Sequence, residues 1–198
     1  MKLKKIEKKE QGRFITRYDL TYETAIGTEK VYEIISRDRA LVSQEQLFER
    51  PTDAVIMILC NEQKDKLLLL REFRLAVGEW IYNFPAGLLN AGESREEAAR
   101  RELREECGLE LCSIFTWLPD SYVAVGFSNE RNACLFGEAR GEISASDSAD
   151  EEIEAAWYSK DEVRQLLQQG VPFEARTQMY AWLWCSDAVL LPDNNCLY

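Results

Sequence analysis

Histidine is absent from the 198 residues. That removes imidazole both as a general base and as a metal ligand. Basic charge is also scarce. The 24 Lys and Arg face 35 Asp and Glu, for a net charge of −11, a poor balance for nonspecific binding to nucleic acid. An anionic ligand fits such a chain only where cations or local arginines screen it. No apolar run reaches the length of a membrane span. Met1–Glu10 is rich in lysine but has no apolar segment after it, which argues against a signal peptide and for a frayed or strand-leading terminus. The six cysteines (Cys60, Cys107, Cys112, Cys134, Cys185 and Cys196) show no CxxC spacing. Several lie in apolar runs, the pattern of reduced core thiols in a cytoplasmic protein. Internal repeats, low-complexity tracts and Walker, Rossmann or zinc motifs are all missing. What remains is a 46% apolar share, enough for one globular core with a small accessory element.

The most informative stretch is GLLNAGESREEAARRELREECGL, Gly87–Leu109. Ser94 begins a helix there, and Glu97, three residues on, completes a capping box. Gly108 ends the helix where a left-handed residue is wanted. Helical spacing places Glu102, Glu105 and Glu106 on one side, with Glu93 just before the helix beside them. Ala99, Leu103 and Cys107 form the adjoining apolar stripe. Like charges at these spacings cost a helix roughly 0.2–0.5 kcal/mol per pair. Arg101 offsets part of this through Glu97 and Glu105, and a hard divalent cation would remove the rest.

Elsewhere the pattern is mostly β. Phe14–Thr24 and Lys30–Ser36 read as an antiparallel pair turning at Ile26-Gly27-Thr28. Arg37–Arg50 is a polar connector, ambiguous at Gln44–Phe48. Asp53–Cys60 and Lys66–Arg71 read as buried strands split by the turn NEQKD. Trp80–Phe84, Leu111–Leu118, Tyr122–Phe127, Asn132–Ala139 and Ala155–Tyr158 read as further strands. Gly141–Asp150 has the look of a mobile acidic loop. Asp161–Gln169 and Glu174–Ala188 read as amphipathic helices separated by Gly170-Val171-Pro172, with Trp182 and Trp184 expected to pack, and the chain after Pro192 as a frayed tail.

Gly87, Glu93, Arg101-Glu102-Leu103, Glu105-Glu106 and Gly108-Leu109 match every position of the Nudix box, G-x5-E-x7-R-E-U-x-E-E-x-G-U with U apolar. The chain thus resembles the Nudix hydrolases. REFR (71–74), PAG (85–87) and GFSNE (126–130) are similar to segments of the ADP-ribose pyrophosphatase and nucleoside diphosphate sugar hydrolase subgroup. The resemblance implies an α/β fold, a Nudix α/β/α sandwich with a mixed central sheet and an N-terminal antiparallel strand extension. It divides the chain into an extension over 1–50, serving dimerisation and the substrate pocket, and a hydrolase domain over 51–198.

It further implies Mg²⁺ or Mn²⁺ held by Glu102 and Glu106, with Glu93, Glu105 and the Ala86 carbonyl completing the metal site. Arg74 would contact the diphosphate. Glu151 or Glu152 would be the base, with Glu105 and Arg101 counted in the catalytic group and Arg101 orienting its glutamate neighbours. Asn83 stands where the subgroup often has Glu, and no metal role is assigned to it. The implied reaction is cleavage of ADP-ribose to AMP and ribose 5-phosphate by a cytoplasmic homodimer with no nucleic-acid or membrane partner. Val125 stands where the subgroup usually has proline, which leaves GDP- and UDP-sugars open, and less readily nucleoside triphosphates or dinucleoside polyphosphates. A binding module without turnover is the reading from another class.

Overall fold

The computed structural model describes residues 1–146 and 150–186. Part of the acidic loop, the end of the expected last helix, the tail and Cys196 lie outside the described residues. The chain divides into two compact units. One is Met1–Asp53 with Asp120–Asn132; the other is Ala54–Pro119 with the chain from Ala133 onward.

The first unit is built on a three-stranded antiparallel sheet, β1 (Lys2–Gln11), β2 (Thr16–Glu23) and β3 (Glu29–Ser36), in that order. Alternation on β2 buries Thr16, Tyr18 and Leu20, and Tyr18 sits opposite Ile34 of β3. The turn is the expected one, closed by Thr24 N–H to Thr28 O at 2.8 Å, with Gly27 at φ 78°. The lysine-rich terminus is a full strand. Leu3 and Ile6 pack against the Tyr18–Leu20–Ile34–Leu41 cluster while lysines flank them, a pattern that suits a solvated edge strand. Gln44–Phe48 resolves as a short helix, α1 (Glu45–Phe48). The segment 120–132 is tied down by charge: Arg50 donates to Asp53 at 2.5 Å and to Asn129 at 2.8 Å, and Arg37 to Glu130 at 2.9 Å. Tyr122–Phe127 is not a strand. The preceding strand continues through Pro119, and Phe127 N–H and Ser128 N–H both close turns on Ala124 O.

The second unit is a mixed sheet between helices. Its strands are β4 (Ala54–Cys60), β5 (Lys66–Arg74), β6 (Glu79–Asn83), β7 (Ala86–Leu88), β8 (Glu110–Tyr122), β9 (Arg131–Arg140) and β10 (Ile153–Ser159). The order is β10-β5-β4-β9-β8, with β6 beside β5 and β7 beside β4. β8 is therefore an edge strand, where proline is tolerated. Leu67, Leu68, Leu69 and Leu70 are all fully buried, because both sheet faces are covered. Leu68 and Leu70 meet Ala98, Ala99, Leu103 and Cys107 of α2 (Arg95–Cys107). Leu67 and Leu69 meet Val163 of α3 (Lys160–Gln169) and Ala181 and Trp184 of α4 (Ala175–Cys185). Trp184 packs as expected, whereas Trp182 is exposed. β5 runs three residues past its expected end because all of REFR pairs with β6, and Arg71 and Glu72 pair with β10 as well. Cys60, Cys107 and Cys185 are buried free thiols, and Cys112 is an exposed one. Among the described residues no helix is long and apolar enough to cross a membrane.

Both ends of α2 follow from local chemistry. Ser94 Oγ accepts from Glu97 N–H, and the Glu97 carboxylate accepts from Ser94 N–H at 2.8 Å. Gly108 takes φ 72°, and its N–H closes on Arg104 O at 2.9 Å. A Cβ at Gly108 would lie 2.1 Å from Ser144 Oγ, and Ser144 N–H donates to Cys107 O at 2.9 Å. The start of the acidic loop is thus seated on the helix end. Ser94→Ala is expected to cost about 1 kcal/mol, the usual value of a lost N-cap. The midpoint of urea unfolding reads it, with an unchanged slope.

Candidate active site

The site begins with a break in the apolar pattern of β5. Leu68 and Leu70 point at α2, and the two-residue period puts Glu72 on the same face, 6% exposed. A carboxylate there needs partners. Arg74 Nη1 donates to its Oε1 at 2.6 Å and Asn83 Nδ2 to its Oε2 at 2.6 Å. Sheet register supplies Asn83, which lies opposite Leu70.

From the other side α2 contributes its acids. Leu103 and Cys107 go into the core, which draws Glu106 inward to 8% exposure. Ala86 N–H donates to Glu106 Oε2 at 3.2 Å. Burial, with Glu102 and Glu72 nearby, pushes the Glu106 carboxyl well above the ordinary glutamate range. Burial also raises Glu102, against the opposing pull of Arg101. Glu102 fills the space left by the missing side chain of Gly87, where a Cβ would lie 1.8 Å from Glu102 Cδ. Arg101 ties the rest together. Its Nε and Nη2 donate to the two oxygens of Glu93 at 2.8 and 2.9 Å, and its Nη1 to Glu102 at 2.7 Å and Glu105 at 3.0 Å. That grip and the Asn90 N–H hold Glu93 down at about 2.

β10 and the residues before it close the site. Ile153 pairs with Glu72, so the period of two turns Glu151 toward the α2 face. The negative charge of Glu151 raises both Glu102 and Glu106. Glu152 gives its backbone carbonyl to Phe73 N–H at 3.0 Å. Glu72, Phe73, Arg74 and Asp150–Glu152 line a cleft of about 300 Å³.

The residues expected from the sequence fall within the second unit. Glu93, Arg101, Glu102 and Glu105 are joined by direct bonds, and Ala86 touches Glu106. Arg74 lines the cleft with both Glu151 and Glu152. One expected pairing differs: Glu97 is used in the cap, and Arg101 takes Glu93 and Glu102 in its place. Glu72 was missed. Its signal was an acid at an inward position of a strand whose inward neighbours are leucines.

Among the described residues no three acidic or cysteine side chains stand together as a ready metal site. The donor chemistry fits a hard divalent cation nonetheless. The ligands on offer are carboxylate oxygens, which such ions prefer, and half-buried Glu102 and buried Glu106 carry repulsion that a cation relieves.

The family model described as the NUDIX domain matches residues 50–183. The chain belongs to the NUDIX family of hydrolases. The NAD-capped RNA hydrolase NudC of Mycobacterium tuberculosis is 33% identical over 123 residues, 60% of this chain and 36% of that protein. The chain therefore spans only 36% of the length of that relative. A methanol dehydrogenase activator of Bacillus methanolicus is 26% identical over 137 residues, 68% of this chain and 72% of that protein. A solved structure described as an ADP compounds hydrolase superposes with a TM-score of 0.68 over 96% of this chain and 98% of that one, at 23% identity. That likeness is one of fold.

Proposed function

We propose that this protein hydrolyses the diphosphate bond of a nucleoside diphosphate joined to another group, with ADP-ribose the first candidate and AMP and ribose 5-phosphate the products. The observation that carries the reading is the convergence of Glu102 and Glu106 on the α2 face with Glu151, beside a cleft that Arg74 lines. Glu102 and Glu106 would hold Mg²⁺ or Mn²⁺, with Glu93, Glu105 and the Ala86 carbonyl in support. When bound, the cation supplies positive charge for the diphosphate and acidifies water.

The chain's own residues do the remaining work. Arg74 binds the diphosphate through its planar donor fork. Arg101 keeps Glu93, Glu102 and Glu105 in place. Glu151 takes the proton from the attacking water, whose oxygen bonds to one phosphorus as the bridging P–O bond breaks. Glu151 is favoured over Glu152 because the pairing of Ile153 with Glu72 turns it toward the α2 face and its charge reaches Glu102 and Glu106. A dimer formed through the N-terminal strands and a cytoplasmic setting belong to the same proposal.

NAD is the second candidate, because 33% identity to the NAD-capped RNA hydrolase covers 123 residues; NAD also carries an ADP moiety. The test is a panel of ADP-ribose, NAD, GDP- and UDP-sugars, a nucleoside triphosphate and a dinucleoside polyphosphate with Mg²⁺, with products separated by chromatography. AMP from an ADP-linked compound supports the reading. Pyrophosphate from the triphosphate alone, or binding without turnover across the panel, overturns it.

A further inference from the structure

Glu72 is a buried acid that the reaction above does not use. Its two oxygens are taken by partners of different kinds. Asn83 is half-buried on β6 and gives one N–H. Arg74 gives Nη1 from a side chain that is 52% exposed and lines the cleft. Among the described residues the Arg74 side chain makes no other hydrogen bond or ion pair. Its Nε and Nη2 remain for a ligand. The amide of Asn83 cannot be reversed at no cost, because its oxygen would then face the Glu72 carboxylate. The observed orientation leaves Asn83 Oδ1 buried without a partner, so the contact to Glu72 is kept at some expense.

We propose that Glu72, steadied by Asn83, is a positioning residue for Arg74, and that it fixes which edge of the guanidinium faces a diphosphate in the cleft. The proposal rests on the reading of Arg74 as the diphosphate-binding residue. Two opposed effects decide what loss of Glu72 does. A free arginine carries rotamer entropy that a ligand must then freeze out. Removing a carboxylate also makes the cleft more attractive to anions, and burial leaves that charge little screened by salt. Glu72→Gln removes the same charge but keeps an acceptor for Arg74, so the difference between the Ala and Gln variants reads positioning alone.

The experiment is ADP binding by calorimetry with Mg²⁺, alongside KM and kcat for the substrate the panel identifies. Glu72→Ala is expected to weaken ADP and raise KM about tenfold, the scale for loss of an orienting partner, with kcat nearly unchanged. Glu72→Gln keeps the acceptor and recovers most of the loss. In an Arg74→Ala background, Glu72→Ala adds nothing. If Glu72→Ala fails to fold by circular dichroism, Asn83→Ala replaces it in the same cycle, with a smaller loss of the same kind. Equal effects with and without Arg74, equal loss in the Gln and Ala variants, or tighter ADP binding each overturn the proposal. Wild-type protein that binds no ADP and hydrolyses no substrate overturns the proposed function itself, an outcome distinct from additive effects in an active enzyme.

Discussion

Turnover by Glu106→Gln is expected to fall at least about a hundredfold, beyond the 10–100-fold typical when only an outer partner of a metal ligand is lost. Folding stability is expected to hold or to rise. Glutamine has the same shape and can still accept from Ala86 N–H, which bonds Glu106 at 3.2 Å in the native chain. The native carboxylate is costly to fold around, because burial raises it well above its ordinary 4.5. Between those two values the folded chain retains a proton that the unfolded chain has released, so stability is lost as pH rises through that interval. Glutamine removes this loss. Steady-state hydrolysis, together with thermal unfolding in a chelator from pH 5 to 8, checks both halves. Near-native turnover would show that the inward acid of α2 has no part in the chemistry.

Gly87→Ala is expected to be the second large effect, and to act on activity far more than on folding. A methyl group there would lie 1.8 Å from Glu102 Cδ and 2.0 Å from its Oε1. No backbone atom is among its nearest neighbours, so the chain can accept the methyl by turning the end of Glu102 aside. That movement breaks the 2.7 Å contact with Arg101 and takes the carboxylate from its place beside Glu106. Half-saturation by Mg²⁺ should rise roughly 10–100-fold, while the thermal midpoint moves little. Unchanged Mg²⁺ dependence would mean that the position of Glu102 is irrelevant to cation binding.

Helix α2 was legible in the sequence to the residue, because its cap, its apolar stripe and its terminal glycine are all local signals. Most of the second unit's strands were legible from continuous apolar runs between polar turns. β1 was not, since only Leu3 and Ile6 among its lysines and glutamates turn to the small core, and the pairing with β2 is needed to see it. Tyr122–Phe127 misled for the opposite reason. Its aromatic and branched residues suit a strand, yet Val125 and Phe127 are exposed in a turn beside the ion pairs of Arg37 and Arg50.

At the candidate site, the acids of the box could be grouped from helical spacing alone. Glu72 could not, because its partners come from sheet register and from two residues farther along its own strand. Nor could Glu151 be separated from Glu152 by sequence. The distinction depends on which of them shares a face with Glu72, and that is set by the pairing of Ile153.

Gly108 and Ser144 carry a consequence for divergence within such a scaffold. Ser144 sits in the space a side chain at 108 would claim, and its N–H bonds Cys107 O at 2.9 Å. A larger residue at 108 would meet that hydroxyl and also strain a backbone held at φ 72°. One glycine thus carries two tolerances, for a left-handed turn and for a close neighbour, and a single replacement forfeits both.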